Sequence, residues 1–226
     1  MAMKRLVLPA AVAVLLLSAV AAAQHKEPAP GSIWWAKRQS VTVENFVVAG
    51  LILDIGGGGE GVIGQLKGQQ VVAIDINRLE LANAPAGPLL KVVMDARDLG
   101  FLDGSFATAT VFFTFMYIAP ADHEKVFREL HRVLAPGGRL LIWDVLFPRM
   151  EDKQKTTAVF PFTFKLPDRE VKTGYGVRFP EGEQGLAHFV ELAHETGFTV
   201  AAKNGAQEWF FLELVRPADE VGKIAK

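Results

Sequence analysis

Residues 51–64 read LILDIGGGGEGVIG, and this stretch determines the fold that we expect. Leu51 to Ile55 is a short apolar run that predicts a buried strand, and Val62 to Lys67 predicts a helix directly after the glycines. Glycines let the backbone turn sharply and approach a ligand closely. The first turn of the helix leaves backbone N–H groups without partners. The stretch therefore predicts a strand, a ligand-binding loop and a helix.

Strands and helices alternate in the residues that follow. The expected strands are Val71 to Asp75, Lys91 to Asp95, Ala107 to Phe113 and Arg139 to Asp144. The expected helices are Arg78 to Ala84, ended before Pro85, and a helix from Asp122 that is stopped by Ala135 to Gly138. This alternation predicts a doubly wound α/β fold, with parallel strands and helices on both faces.

The last third of the chain has a different period. Apolar residues alternate within about 158–180, which predicts an inserted β-hairpin. A helix from Leu186, closed by Gly197, precedes two strands, Phe198 to Lys203 and Glu208 to Val215, with Asn204 and Gly205 as the turn. Two strands joined by so short a turn are antiparallel. We therefore expect a mostly parallel sheet with an antiparallel last strand.

Composition excludes several classes of protein. Half of the 226 residues are hydrophobic and 22% are charged, so a disordered chain is excluded. There is no cysteine, which excludes disulfides, thiolate metal sites and cysteine nucleophiles. The formal charge of −1 gives no basic surplus for nucleic acid, and no cluster of His, Asp and Glu suggests a metal.

The N-terminus has the pattern of a targeting segment. Lys4 and Arg5 precede an apolar run, and the stretch ends in three alanines at Ala23, so residues 1–23 are expected to be a signal peptide or an N-terminal anchor. Cleavage predicts export to the periplasm or the extracellular space, and an uncleaved segment predicts membrane anchoring; a cytoplasmic location stays open. Residues 24–45 are expected to form a linker and N-terminal segment. The α/β domain predicted above is then expected to cover residues 46–217.

The glycine loop fits two ligands. Gly56, Gly58 and Gly61 match G-x-G-x-x-G, and Asp75 follows Gly56 by 19 residues, as in nicotinamide-dependent oxidoreductases. Asp54, however, would repel a pyrophosphate and would attract an ammonium and a sulfonium group. S-adenosylmethionine carries both of these groups. The alternative for Asp54 is a purely structural role as a cap of the glycine turn.

Several segments together resemble a known family. Residues 51–64, Asp75, the triplet Met94-Asp95-Ala96, and residues 131–144 (HRVLAPGGRLLIWD) look like class I S-adenosylmethionine-dependent methyltransferases of the small methyltransferase-domain type. The resemblance covers about residues 46–147 and implies a Rossmann-like sheet. The chain departs from the family loop at Glu60, where a glycine is common. This departure raises the hypothesis that Glu60 faces the ligand.

The resemblance implies ten positions that contact S-adenosylmethionine. Asp54 and the backbone of Gly56, Gly57 and Gly58 would contact the methionine part of the cofactor. Asp75 would bind its ribose. Ile76, Asp95 and Ala96 would surround the adenine, and Phe113 and Thr114 would lie near the sulfonium.

Catalytic groups are less evident than cofactor groups. Methyl transfer needs a general base only if the acceptor loses a proton. Three candidates lie at the edge where ligands bind: Tyr117 and His123 follow one expected strand, and Asp144 ends the next. Each also has a non-catalytic interpretation. Tyr117 would be part of the pocket wall, His123 a solvated residue at the start of a helix, and Asp144 a cap at the end of a strand.

The leading functional hypothesis is methyl transfer from S-adenosylmethionine to a small-molecule acceptor. The alternatives are a nicotinamide-dependent oxidoreductase and a non-catalytic S-adenosylmethionine-binding protein. A membrane contact is expected only through an uncleaved N-terminus. The oligomeric state is left open.

Overall fold

The computed structural model of the protein describes residues 28–29, 31–182, 184–206 and 208–218. The expected signal peptide or anchor at 1–23 and its cleavage site lie outside the described residues. Among the helices of the described ranges, none has the length and apolar character needed to cross a membrane.

Eleven strands and four helices make up the described chain. The strands are β1 (Ile33–Trp35), β2 (Gln39–Thr42), β3 (Ile52–Ile55), β4 (Val71–Asp75), β5 (Leu90–Val93), β6 (Phe106–Phe112), β7 (Leu134–Val145), β8 (Thr157–Lys165), β9 (Glu170–Arg178), β10 (Thr199–Gly205) and β11 (Trp209–Val215). The helices are α1 (Val62–Lys67), α2 (Arg78–Asn83), α3 (His123–Val133) and α4 (Leu186–Glu195).

The central sheet has seven strands in the order β5-β4-β3-β6-β7-β11-β10. All neighbouring strands are parallel except β11, which is antiparallel to both β7 and β10. The predicted fold, a mostly parallel sheet with an antiparallel last strand, is confirmed. Because β11 lies between β7 and β10, the last strand in sequence is not the edge of the sheet.

The two faces of the central sheet are covered differently. On one face, α3 and α4 pack with apolar residues such as Phe127, Leu130 and Phe189, all almost fully buried. On the other face, α1 and α2 cover part of the sheet, and a second sheet covers the rest. Helices on both faces are therefore found as predicted, but a sheet takes the place of further helices on one face.

This second sheet contains β1, β2, β8 and β9. The predicted hairpin is its β8–β9 pair, in which Phe162 pairs with Thr173. Both β1 and β2 pair with β8 in parallel, for example Trp34 with Ala158. These two strands lie in the segment expected to be a linker. They are three and four residues long, too short for an alternating pattern to be recognised.

The start of β7 and the turn between β10 and β11 differ from the expected ones. Strand β7 begins at Leu134, because the expected stop at Ala135 to Gly138 is an irregular part of the strand, with a shift in register against β6. Asn204 and Gly205, the expected turn, pair with Phe211 and Phe210. The chain therefore reverses after Gly205.

Candidate active site

A cavity of about 770 Å³ lies at the carboxyl ends of β3, β4 and β6. This volume is within the usual range of small-molecule sites. The glycine loop forms one part of its wall, and aromatic residues from β6, the following turn and β9 form another part. All ten positions that the resemblance implied line this cavity: Asp54, Gly56, Gly57, Gly58, Asp75, Ile76, Asp95, Ala96, Phe113 and Thr114.

The glycine loop runs too close to its neighbours to carry side chains. A Cβ atom on Gly57 would lie 2.6 Å from Asp54 Oδ2, and one on Gly58 would lie 2.6 Å from Glu80 Cβ. Gly56 has a φ of 68°, a left-handed conformation that favours glycine. The N–H of Gly57 donates to the carbonyl of Ile74 at 3.0 Å. These contacts hold the loop against the end of β4 and leave its outer surface facing the cavity.

Asp54 lies beneath this loop and is only 2% exposed. Its Oδ1 accepts a hydrogen bond from Thr110 Oγ1 at 2.7 Å. Burial, with a smaller contribution from the nearby Asp75, raises the pKa of Asp54 to about 7, although the Thr110 hydrogen bond lowers it. A buried carboxyl with so high a pKa needs a cationic partner to stay ionised at neutral pH. The position therefore suits an ammonium group.

Asp75 and Glu80 lie on the other side of the loop. The carboxylate of Asp75 accepts hydrogen bonds from the N–H groups of Asn77, at 2.8 Å, and Gly58. Burial raises the pKa of Asp75 despite these bonds. Burial, together with Asp75 and Glu60, raises the pKa of Glu80 to about 7. Glu80 lines the cavity and was missed by the sequence analysis, since a glutamate in the first turn of a helix also suits a solvated position.

The expected adenine end carries an ion-pair network. Arg97 Nη2 lies 2.7 Å from Asp95 Oδ2, and Arg97 Nη1 lies 2.9 Å from Asp122 Oδ2. Hydrogen bonding from Arg97 lowers the pKa of Asp95. Because Arg97 occupies both oxygens of Asp95, this carboxylate has less capacity left for an adenine amino group than the resemblance implies.

Phe113 and Thr114 connect the cavity to the second sheet. Phe113 has a φ of 53°, which is rare for a residue with a bulky side chain and typical of functional sites. Its ring centroid lies 4.5 Å from that of Phe162 and 5.8 Å from that of Tyr175. Thr114 Oγ1 donates to the carbonyl of Ile55 at 3.1 Å. Packing against the second sheet thus holds Phe113 in its strained conformation.

Glu60, where the chain departs from the family loop, lines the cavity. It is bound by the second sheet, because Thr173 Oγ1 donates to Glu60 Oε1, and Tyr175 Oη donates to Glu60 Oε2 at 3.1 Å. Neither Thr173 nor Tyr175 was identified from the sequence. Their only sequence signal was the alternation of the hairpin, which does not reveal what the hairpin packs against.

Of the three catalytic candidates, Tyr117 alone lines the cavity. Asp144 is buried, and its carboxylate accepts hydrogen bonds from the N–H groups of Val145 and Met116. Burial raises the pKa of Asp144 to about 7. The carboxylate thus holds the turn that carries Tyr117 rather than facing a ligand.

His123 is fully buried and lies outside the cavity wall. Its Nε2 lies 3.0 Å from the carbonyl oxygen of Ile118, and its Nδ1 lies 3.0 Å from His188 Nε2. Burial lowers the pKa of His123 to about 4, so the imidazole is neutral. Nε2 therefore donates to Ile118, and Nδ1 accepts from His188. The Nδ1 contact joins α3 to α4, and the Nε2 contact joins α3 to the segment before it.

Trp34 and Trp35 lie in the second sheet, away from the cavity wall. Trp34 packs edge-on against Phe160, with ring centroids 5.7 Å apart, and also contacts Phe179. Neither Trp34 nor Trp35 lines the cavity. Both belong to β1 of the second sheet, where Trp35 is 52% exposed.

The charge of the cavity decides which cofactor fits. Six carboxyl groups line it: Asp54, Glu60, Asp75, Glu80, Asp95 and Asp122. Within the described residues, Arg97 is the one lysine or arginine in the wall, and it is already paired. This environment repels a pyrophosphate and attracts a ligand with an ammonium and a sulfonium. Asp75 is available for ribose hydroxyls, and Ile76 and Met94 offer apolar contacts for a base. The residues present fit S-adenosylmethionine.

Across the described ranges, no group of three or more His, Cys, Asp or Glu residues is placed to hold a metal ion.

Comparison with known proteins leads to the same class. Residues 53–142 match the family described as a methyltransferase domain. The ubiquinone/menaquinone biosynthesis C-methyltransferase UbiE of Pseudoalteromonas translucida is 32% identical over 139 residues, which are 56% of this chain and 55% of that protein. The chain spans about half the length of such curated relatives.

Solved structures share the fold at low sequence identity. A methyltransferase from Methanosarcina mazei described as SAM-dependent superposes with a TM-score of 0.56 at 20% identity, covering 77% of this chain and 96% of that one. The [4+2]-cyclase SpnF superposes with a TM-score of 0.56 at 15% identity, covering 77% and 79%. These two likenesses concern the fold alone.

The resemblance to class I S-adenosylmethionine-dependent methyltransferases is therefore confirmed. Residues 53–142 thus resemble a methyltransferase domain, the fold is that of class I methyltransferases, and S-adenosylmethionine is the cofactor of that class.

Proposed function

We propose that the protein transfers a methyl group from S-adenosylmethionine to a small, uncharged aromatic acceptor of the quinol type. The observation that carries this proposal is the composition of the cavity. Its acidic part surrounds the glycine loop, and its aromatic part consists of Phe112, Phe113, Tyr117 and Tyr175. An aromatic ring that enters beside Phe113 and Tyr175 would stack on apolar surface and meet phenolic hydroxyls.

Charge narrows the class of acceptor further. A phosphorylated or carboxylated acceptor needs a cation, and the one cation of the described cavity wall, Arg97, is held by two aspartates. An anion would instead face several carboxylates. The relative from P. translucida is named for carbon methylation in quinone biosynthesis, which agrees with an uncharged ring.

A second candidate is a protein that binds S-adenosylmethionine without transferring its methyl group. The fold supports this candidate, since the structural neighbour SpnF is described as a [4+2]-cyclase rather than as a methyltransferase. An oxidoreductase is less well supported, because the acidic cavity disfavours a dinucleotide.

Two measurements on the purified protein test the proposal. Calorimetry should show binding of S-adenosylmethionine and none of NADH. With methyl-labelled cofactor under reducing conditions, 1,4-dihydroxynaphthalene should gain the label on a ring carbon, whereas phosphoethanolamine, an anionic control, should remain unlabelled. Cofactor binding without transfer to the quinol would favour the non-catalytic candidate, and binding of NADH alone would favour the oxidoreductase.

A further inference from the structure

The contact between Glu60 and the second sheet joins two parts of the cavity wall. Glu60 belongs to the glycine loop, and its two carboxylate oxygens accept one hydroxyl each from Thr173 and Tyr175 of β9. Glu60 and Tyr175 both line the cavity. A carboxylate that is hydrogen-bonded to a tyrosine at the wall of a small-molecule site can receive a proton through that tyrosine.

Tyr175 is oriented for such a transfer. Its ring stacks on Phe113 with an interplanar angle of 29° and lies 6.5 Å from the ring of Tyr117. Because its hydroxyl proton points to Glu60, the lone pairs of Oη remain free to accept a hydrogen bond from a ligand in the cavity. Burial and the charge of Glu60 raise the pKa of Tyr175 well above its ordinary value, so the tyrosine remains neutral.

We propose that Tyr175 and Glu60 form a proton relay that removes the hydroxyl proton of the methyl acceptor. The relay rests on the function proposed above, since it requires an acceptor with a phenolic hydroxyl. Tyr175 is the residue that touches the acceptor. Glu60 acts through Tyr175, and Thr173 holds Glu60 in place.

The proton and electron balance of the relay is simple. As the acceptor proton moves to Tyr175 Oη, the proton of Tyr175 moves to Glu60 Oε2, so the acceptor becomes a phenolate and Glu60 a neutral acid. When bound, S-adenosylmethionine supplies an electrophilic methyl group. A ring carbon of the phenolate forms a bond to this methyl as its bond to sulfur breaks, and that electron pair remains on sulfur. The ring carbon then loses its hydrogen as a proton to solvent, and Glu60 returns its proton through Tyr175 to restore the hydroxyl. One proton leaves for each methyl transferred.

Variants of the two residues test the relay by activity. Tyr175→Phe and Glu60→Gln should each lower kcat toward 1,4-dihydroxynaphthalene by about 100-fold or more, the usual contribution of general base catalysis. Thr173→Val keeps the Tyr175–Glu60 bond and should cause a smaller loss. The matched control is Glu124→Gln, which makes the same chemical change at an exposed position of α3 and should leave kcat unchanged.

Acceptor acidity separates a relay from a structural role. A halogenated dihydroxynaphthalene loses its hydroxyl proton more readily, so it depends less on a base. The loss caused by Tyr175→Phe should therefore shrink with this acceptor. A merely structural effect of Tyr175→Phe would lower kcat by the same factor with both acceptors. Calorimetry with S-adenosylhomocysteine should give the same affinity for the wild type and the variant, within about twofold, which shows that the cofactor site is intact.

A binding experiment provides a readout without turnover. 4-Nitrophenol changes its absorbance when it ionises, and it resembles the acceptor in having one phenolic hydroxyl. Just below its ordinary pKa, the wild-type complex with S-adenosylhomocysteine should contain ionised 4-nitrophenol, and the Tyr175→Phe complex should contain less.

The possible results distinguish the relay from the proposed function. Equal kcat for wild type and Tyr175→Phe on the quinol would overturn the relay and leave the proposed function standing. The relay would also be overturned if Tyr175→Phe lost kcat by the same factor on both quinols. Equal ionisation of 4-nitrophenol in the wild type and the variant would overturn it as well. No transfer to either quinol by the wild type with cofactor bound would overturn the proposed function and the relay with it.

Discussion

Asp54 is the residue whose charge state depends most directly on the ligand. Its carboxyl is buried beside Gly57 and has a pKa of about 7. An ammonium group nearby would favour the ionised form and form a charge-assisted hydrogen bond. The same carboxylate would oppose a phosphate. The charge of Asp54 therefore links cofactor choice to the electrostatics of the site.

Replacing Asp54 by asparagine tests this selectivity. Asp54→Asn keeps the size of the side chain and removes its charge. Because charge-assisted hydrogen bonds contribute roughly 1.5–3 kcal/mol, affinity for S-adenosylmethionine and S-adenosylhomocysteine should fall by roughly ten- to a hundredfold at about pH 8. Adenosine lacks the ammonium group and should bind almost unchanged. Equal losses for adenosine and S-adenosylhomocysteine in calorimetry would show that Asp54 only supports the loop.

The raised pKa values of Asp54 and Glu80 predict that cofactor binding releases protons. Both pKa values are about 7 in the free protein. A cationic ligand favours the ionised carboxylates, so their pKa values fall on binding and affinity should decrease as the pH drops below about 7. Calorimetry in buffers of different ionisation enthalpy should show proton release at about pH 6 and little at about pH 8.

Substitution of Asp54 and of Glu80 shows whether these two carboxyl groups are the source of the released protons. Asp54→Asn and Glu80→Gln should each remove part of the release at the lower pH. Unchanged release in both variants would mean that other groups of the protein account for it.

At the scale of elements, the second sheet supports the site as well as the core. Phe162 of β8 is fully buried and packs against Phe113, whose left-handed backbone is held by such contacts. Phe164, on the same strand, has its ring centroid 4.8 Å from that of Phe112. The aromatic wall of the cavity therefore depends on a sheet that lies outside the family match at residues 53–142.

Truncating Phe162 should affect stability and ligand binding together. Phe162→Ala should lower the free energy of unfolding by about 3–5 kcal/mol, because it leaves a cavity in a packed core. Lys165→Ala, at an exposed position of the same strand, should change it by less than about 0.5 kcal/mol. Denaturant titration followed by both circular dichroism and tryptophan fluorescence should give coincident transitions. Separate transitions would mean that the two sheets unfold independently.

At the scale of the whole molecule, location in the cell is a proposal that rests on residues 1–23, outside the described structure. The charged start, the apolar run and the alanines ending at Ala23 predict export with a mature chain that begins at Gln24. Fractionation and N-terminal sequencing of the expressed chain should find this species outside the cytoplasm. Replacing Lys4 and Arg5 by glutamate should impair export. An intact Met1 on a soluble cytoplasmic chain would contradict the proposal, and an intact chain in the membrane would favour an anchor.

The sequence alone was enough to predict the central sheet and the residues that line the cavity around the glycine loop. The loop from Gly56 to Gly61, Asp54 before it and Asp75 at the end of β4 follow from local patterns, since a strand that ends in glycines and leads into a helix has few alternatives. Parallel strands bring their carboxyl ends to one edge of the sheet, so residues at strand ends were expected to meet.

Phe113 and Tyr117 were expected from the sequence, but the tertiary structure alone decided what the second sheet adds to the aromatic part of the cavity. Tyr175 lies 115 residues after Glu60, and β1 pairs with a strand more than 120 residues later. A period of two residues indicates that a segment is a strand, but it does not specify the strand or loop against which that segment packs. Likewise, His123 follows a strand and Asp144 lies near the end of one, as catalytic residues often do, yet both turn inward and bind protein atoms. Such contacts depend on the summed packing of distant segments, and for this reason they emerge only when the whole chain is folded.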